Sequence, residues 1–321
     1  MVRTARSYDA GMRGAQICEL GQPPAPIEIE GDGSVEVVAV ALNPVDLAVS
    51  NGRHPAGHPP LPYVPGVEAV ARIGGERLYL FGEGFGTLRD GFLVERVDFP
   101  RERAVPVPEV LGDVEAVVCG VAGLAGWVPV ATKASAGAGD RVLVLGATGT
   151  VGSFAVQAAR VLGAERVVGA GRDAAALERV RELGAHETVV LEGDDLAVRL
   201  RDACGGDGPT VVIDPLWGEP ARAAFQAAAP GARIVQLGQS AGPEATLASA
   251  DIRFKQLVML GHTNFAFSAQ ELREAYTALG EHVAAGRIRV RAETFPLDRV
   301  GDAWAAQQQG EKAVVLLGSA A

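Results

Sequence analysis

The stretch Gly139 to Gly152, GDRVLVLGATGTVG, limits what this chain can fold into more than any other. Arg141 to Leu145 is a short apolar, β-branched run, the pattern of a strand buried on both faces. It ends at Gly146, and Gly149 and Gly152 follow at intervals of three. Val151, Phe154, Ala155, Ala158, Ala159 and Leu162 recur at helical spacing, which predicts a helix from about Thr150. A strand, a side-chain-poor turn and a helix N-terminus together make a seat for an anionic phosphate. The main chain can approach a pyrophosphate closely there, and the unpaired N–H groups of the first helical turn point at it. The spacing is GxxGxxG rather than the commoner GxGxxG. Glycines alone also serve plain turns, so the strand–turn–helix context carries the weight.

The flanks differ in style. Residues 1 to 100 read as short strands separated by Gly and Pro: Pro26 to Glu30, Ser34 to Leu42, Val67 to Ile73, Leu78 to Phe81 and Gly91 to Val97. Gly52 to Pro65 carries five prolines and two histidines and reads as a loop. Asp113 to Val130, rich in Ala, Gly and Val, reads as helical turns. After Gly152 strands and helices alternate. Strands are predicted at Arg166 to Gly171, Glu187 to Leu191, Thr210 to Asp214, Ala232 to Gly238 and Gln256 to Gly261. Helices are predicted at Asp173 to Leu183, Asp195 to Asp202 and Glu219 to Ala229. This alternation means right-handed βαβ units and a parallel, doubly wound sheet, with Gln256 to Gly261 at its edge. The tail, a helix from Ala269 to Ala285 and then strand, helix, strand over Arg287 to Phe295, Leu297 to Gln309 and Ala313 to Leu317, returns to the first style. Both ends are therefore expected to build one domain around an inserted one.

Composition narrows the function classes. A chain of 321 residues is long enough for two domains, and 48% hydrophobic content in alternation with charge predicts a soluble globular protein. No apolar run reads as long enough to span a membrane, and the N-terminus lacks an apolar signal core. A formal net charge of −10 disfavours nucleic acid as a partner. Cys18, Cys119 and Cys204 include no CxxC pair, which argues against disulfides and structural zinc and for a reducing, cytoplasmic setting.

Four motifs in order carry a resemblance: Asn43-Pro44-Val45-Asp46, Pro65-Gly66-Val67-Glu68, Ala122-Gly123-Leu124 and Gly146 to Gly152. With Phe295-Pro296-Leu297 and Gly310 to Val315 at the end, the chain resembles the medium-chain dehydrogenase/reductase superfamily, most of all its zinc-independent quinone oxidoreductase branch. The resemblance implies an α/β protein with a GroES-like, β-rich catalytic domain and a Rossmann doubly wound parallel-sheet domain. The division is 1–116 for the first part of the catalytic domain, 117–269 for the dinucleotide-binding domain and 270–321 for the return, with cofactor in the cleft. Zinc-dependent relatives carry cysteine where Asn43 stands and histidine where Val67 stands. Neither residue here is a plausible zinc ligand, and Cys119 reads as a small buried apolar residue, so no metal is expected. Between Val70 and Leu93 the chain is shorter than most relatives, which contracts the first domain.

The end of the second strand of the inserted domain selects the cofactor. Gly171 occupies the slot where a carboxylate would accept bonds from a ribose 2′-OH, and Arg172 follows. A small residue leaves room for a 2′-phosphate that a guanidinium can pair with, which puts NADP(H) ahead of NAD(H). Against this, Gly171 can be a plain turn, Asp173 can cap the next helix or turn onto the ribose, and Leu191 stands about where NADPH-preferring relatives have a tyrosine. The cofactor-binding set is Gly146, Thr148, Gly149, Thr150, Val151, Gly152, Gly171, Arg172, Leu191, Leu237, Gly238, Gln239, Thr263 and Asn264, joined through the resemblance by Asn43 and Lys312.

Without a metal to polarise a carbonyl, the chemistry expected is hydride transfer from NADPH to an electrophilic small molecule, a quinone or an α,β-unsaturated carbonyl. Weak candidates for the polar groups that help are Asn43, Asp46, His54 and Tyr63. His54 lies near the place of a substrate-side tyrosine in quinone reductases, and His58 reads as exposed loop. The alternative is a dinucleotide-binding redox sensor or partner-binding protein without turnover. A short-chain reductase is disfavoured because Tyr8, Tyr63, Tyr79 and Tyr276 have no lysine four residues on. A homodimer through the edge strand Gln256 to Gly261 is the expected assembly.

Overall fold

The computed structural model describes residues 11–31 and 33–318; Tyr8 lies outside them. Contacts divide the chain into two compact units, Met1–Val117 with Ala292–Ala321, and Val118–Arg291. Both ends thus belong to one unit. The return begins at Ala292 rather than at 270, because the helix Ala269–Ala284 buries Leu272, Tyr276 and Leu279 within the second unit.

The second unit is a sheet of six parallel strands. Across the sheet they run Glu187–Val190, Arg166–Gly171, Arg141–Leu145, Val211–Asp214, Arg233–Gln236 and Val258–Gly261. Counted along this unit the order is 3-2-1-4-5-6, the doubly wound Rossmann arrangement. The apolar runs explain it. Val142, Leu143, Val144 and Leu145 are fully buried, as a central parallel strand covered on both faces must be. Every carboxyl end of such a sheet faces the same way, so six loops gather along one rim.

The first unit carries a seven-stranded, mainly antiparallel sheet. Its backbone path runs Glu293–Pro296, Ala313–Leu316, Val35–Ala41, Glu68–Ile73, Glu76–Phe81 and Val105–Pro106, with Arg96–Val97 also pairing Val35–Ala41. A tight hairpin, in which Gly74 and Gly75 stand at φ +58° and +86°, turns Glu68–Ile73 into Glu76–Phe81.

Some elements depart from the sequence reading. The strand Met12–Gln16 and the helices Pro44–Ser50 and Ser249–Lys255 were not anticipated. Gly91 to Val97 keeps only Arg96–Val97 as strand, because Gly91, Phe92 and Leu93 send their N–H groups to the carbonyls of Val64, Gly66 and Pro65 in an irregular loop. Arg287 to Phe295 keeps only Glu293–Pro296, since the N–H of Arg289 is taken by Gln157 Oε1. Against the expectation from sequence, one apolar run does have the length to span a membrane. Asp113–Lys133 is a helical stretch of 21 residues long and apolar enough to do so by length and composition. Its apolarity has a packing cause, because 72% of its most apolar window is buried inside the protein.

Candidate functional site

In the second unit the glycine turn has the geometry that close main-chain approach requires. Gly146 sits at φ +62°, a conformation that a side chain strains. The helix Thr150–Val161 opens on Gly149, and a Cβ placed on Gly152 would fall 2.3 Å from the Gly146 oxygen and 2.6 Å from Ala147 Cα. Only glycine lets the turn fold back on the helix this tightly. A Cβ on Gly149 would meet nothing closer than 3.5 Å, so the approach above that residue stays open. The N–H groups of the first turn have no partner within the helix, and its dipole adds partial positive charge. The cradle therefore fits a pyrophosphate.

The remaining predicted contacts of this unit stand along the same rim. Gly171 ends its strand against Thr148, with a would-be Cβ 2.9 Å from Thr148 Cγ2. Leu191 is half-buried and donates its N–H to the Gly171 oxygen at 2.8 Å. Arg172 is exposed. Asp173 caps the helix Ala174–Glu182, its Oδ1 accepting from the N–H groups of Ala175 and Ala176 at 2.9 and 3.1 Å. Leu237 and Gly238 are half-buried, and Gln239 is exposed. Thr263 Oγ1 accepts from the N–H of Phe265. Asn264 is buried, and its Nδ2 donates to the Val121 oxygen at 2.8 Å while its Oδ1 faces His262 Nε2 at 2.9 Å. Its polar groups are thus committed inside the unit. Burial lowers the His262 pKa to about 4, so the ring is neutral and Nε2 carries the proton that Asn264 accepts.

The candidates of the first unit form a buried polar knot. Asn43, Asp46, Glu68 and Lys312 are each 5% exposed or less. Lys312 Nζ donates to the Leu42 oxygen at 2.8 Å and to Asn43 Oδ1 at 2.7 Å, and lies 3.7 Å from Glu68 Oε1. Asn43 Nδ2 donates to Glu68 Oε1 at 2.7 Å and to the Ala41 oxygen at 3.0 Å, and Tyr79 donates its hydroxyl proton to Glu68 Oε2 at 2.9 Å. Asp46 accepts from the N–H groups of Asn43 and Val67 at 2.8 and 3.1 Å. His54 is half-buried in its loop, and His58, exposed, contacts the Pro59 oxygen. Tyr63 lies in the hydrophobic core with its hydroxyl unpartnered, and burial raises its pKa, so the phenol stays protonated.

Burial pushes Asp46 up to about 7, against the two N–H bonds and Lys312, which pull it down. Since this lies above the ordinary 3.8, the folded protein holds a proton that the unfolded chain does not. The contribution of Asp46 to stability is then fully present below about 3.8 and is lost as pH rises through about 7. Denaturation from about pH 4 to about pH 8 should show wild type losing ground to Asp46→Asn as pH rises. A pH-independent difference between the two would contradict the assignment.

Two groups of consequence escaped the sequence reading as site residues: Glu68, the anionic centre of the knot, and Asp214, buried at the end of its strand. Both had a visible signal, a carboxylate at one limit of an apolar, strand-forming run: Glu68 opens Glu68–Ile73, and Asp214 closes Val211–Asp214. Among the described residues no group of three or more His, Cys, Asp or Glu is placed to hold a metal ion.

Comparisons with known proteins fit this geometry. A family model described as zinc-binding dehydrogenase matches residues 150–281. A phenolphthiocerol/phthiocerol polyketide synthase of Mycobacterium tuberculosis is 31% identical over 86% of this chain, which spans only 13% of that protein. A quinone oxidoreductase of Lama guanicoe is 27% identical over 91% of this chain and 92% of its own length. A mycobacterial protein solved in complex with NADPH superposes with a TM-score of 0.82 at 20% identity, covering 95% of this chain and 100% of that one.

Proposed function

Because this chain belongs to the medium-chain dehydrogenase/reductase superfamily, in its quinone oxidoreductase-like branch, with a GroES-like unit and a Rossmann unit, we propose that it is an NADPH-dependent reductase of quinones or activated alkenes. The observation that carries the reading is the glycine cradle at Gly146 to Gly152, next to a strand end, Gly171, that offers no carboxylate to a ribose. When bound, the dinucleotide supplies the hydride. The chain's own part is to seat the pyrophosphate on the first turn of Thr150–Val161 and to offer the exposed Arg172 guanidinium to a 2′-phosphate. The mycobacterial neighbour solved with NADPH is in keeping with a nicotinamide dinucleotide as ligand, while the preference for NADP(H) over NAD(H) rests on Gly171 and Arg172. The match to a polyketide synthase supports keeping activated alkenes beside quinones as acceptors.

Zinc independence belongs to the same reading and rests on residue chemistry. Val67 offers no donor, and the Asn43 amide is engaged by Lys312, Glu68 and Ala41. A reducing, cytoplasmic setting agrees with Cys18, Cys119 and Cys204, all of them free thiols. The acceptor is a small molecule rather than nucleic acid or membrane, in keeping with the acidic charge balance. The burial of Asn43, Asp46 and Tyr63 within their unit favours the second reading, an NADP(H)-binding sensor without turnover.

NADPH and NADH consumption against a panel of quinones and enones, with EDTA present, tests both readings. Turnover resistant to EDTA is the expected result. Loss of turnover to EDTA would overturn the metal-free chemistry, and tight NADPH binding with no turnover on any acceptor would favour the sensor. Arg172→Ala should weaken NADPH binding by roughly tenfold, as loss of one charge-assisted pair does, and spare NADH. Equal loss for both would overturn the role of Arg172.

The reading extends to a homodimer. Val258–Gly261 is an outer strand of its sheet; its Val258 and Met259 are 46% and 53% exposed, and Phe254 and Phe265, which flank it in sequence, are 77% and 49% exposed. Antiparallel pairing of two such edges across a two-fold axis satisfies the free backbone groups and covers the apolar side chains. Sedimentation should find a dimer, and Met259→Lys a monomer; a monomeric wild type would refute the assembly.

A further inference from the structure

At the carboxyl end of Val211–Asp214 the chain buries a carboxylate that the dinucleotide reading does not use. Asp214 has no exposed surface. Its Oδ1 accepts from the N–H groups of Leu216 and Trp217, both at 2.9 Å, while its Oδ2 has no partner at all. A buried oxygen without a hydrogen bond costs stability. The turn it gathers costs more. Trp217 adopts φ +59°, ψ −159°, a region that glycine alone occupies with ease. Two unfavourable features at one turn, in an otherwise well-packed unit, point to a demand other than stability.

The neighbours of the turn say what that demand is. On its outer side, the Ala241 N–H donates to the Leu216 oxygen at 2.8 Å, and Ser240 Oγ donates to the Pro215 oxygen at 3.3 Å. The fit is close enough that a Cβ on Gly238 would fall 2.5 Å from that same Pro215 oxygen. On its inner side the turn lies against the glycine cradle. A Cβ on Gly146 would meet Leu216 Cδ2 at 2.9 Å and Pro215 Cγ at 3.4 Å. The strands beneath these three loops, Arg141–Leu145, Val211–Asp214 and Arg233–Gln236, are neighbours in the sheet. The loops are therefore locked together as one piece, and Asp214 is the group that draws the middle one shut.

We propose that Asp214 is a positioning residue of the dinucleotide site. By gathering the N–H groups of Leu216 and Trp217 it presses Pro215 and Leu216 onto Gly146, and so sets the shape of the phosphate-binding turn. The inference rests on the dinucleotide reading above, and the wild-type protein tests that reading separately.

The experiment measures NADPH affinity and thermal stability for the full chain and four variants. Asp214→Ala removes both acceptors and should raise the Kd by about tenfold or more, whereas Asp214→Asn keeps an acceptor at Oδ1 and should stay within about threefold. Leu216→Ala leaves Asp214 intact but lifts the side chain off Gly146, and should raise the Kd by about three- to tenfold. Leu78→Ala, a buried position in the hydrophobic core of the other unit, serves as the control: it should lower the Tm at least as far while keeping the Kd within about twofold. Wild-type affinity in Asp214→Ala, or in Leu216→Ala should the former fail to fold, would overturn the proposal. So would an equal loss of affinity in Leu78→Ala, which would make the effect one of general destabilisation. A wild type that binds neither NADPH nor NADH would instead refute the dinucleotide reading.

Discussion

Gly152→Ala is expected to raise the Kd for NADPH by roughly 10- to 100-fold, the equivalent of about 1–3 kcal/mol for a methyl forced into filled space. The added carbon would fall 2.3 Å from the Gly146 oxygen and 2.6 Å from Ala147 Cα, and both are main-chain atoms with no rotamer to escape into. Relief has to come from a shift of the turn itself, which moves the very N–H groups that would hold the pyrophosphate. Gly149→Ala is the internal comparison. Its Cβ would meet only ordinary contact at 3.5 Å within the protein, so the fold should tolerate it, and any loss of affinity there reports on the bound phosphate directly. Titration of the two variants, read alongside their melting temperatures, checks this. Unchanged NADPH affinity in a folded Gly152→Ala would mean that the cradle does not hold the dinucleotide.

Lys312→Met should cost about 3–5 kcal/mol of stability, the usual consequence of removing one partner from a buried ion pair. The ammonium is buried, and its loss would leave Glu68 in a low-dielectric interior without its cation. It would also free Asn43 Oδ1 and the Leu42 oxygen, each of which now accepts a bond from Nζ. Adding Glu68→Gln should recover part of the deficit, because the double variant no longer buries that uncompensated anion. Chemical denaturation at neutral pH measures both. A Lys312→Met protein as stable as wild type would show that the knot contributes nothing net. Lys312→Arg is not a conservative control, since a planar guanidinium cannot reproduce the three-point geometry of a compact ammonium.

Much of the architecture could be read from residue order. The run Arg141 to Leu145 followed by three spaced glycines and a helical repeat specifies a strand, a turn and a helix by local rules alone, and the structure has Arg141–Leu145 and Thr150–Val161 in those places. Elements whose conformation depends on distant partners were less legible. Pro44–Ser50 is a helix whose start is held by the Asp46 carboxylate on the Asn43 N–H, a bond buried by the rest of its unit. Gly91 to Leu93 has the composition of a strand, but its N–H groups are claimed by Val64, Pro65 and Gly66.

The site divides along the same line. The glycine turn proposed to seat a phosphate and the strand end at Gly171 follow from short-range pattern, since glycine spacing and strand length place them within one βαβ unit. The roles of Lys312, Asn43 and Asp214 do not. Lys312 lies 269 residues from the Asn43 side chain it contacts, and no local rule distinguishes it from a surface lysine. Asp214 ends an apolar strand as many caps do, and only the packing of Leu216 on Gly146 ties it to the phosphate turn. Sequence alone determined the class of fold and pointed to the class of ligand proposed here, because backbone propensity and periodicity act over a few residues. Tertiary structure decided which charges are buried together and which loop bears on which, because those depend on chain segments that meet only when the protein has folded.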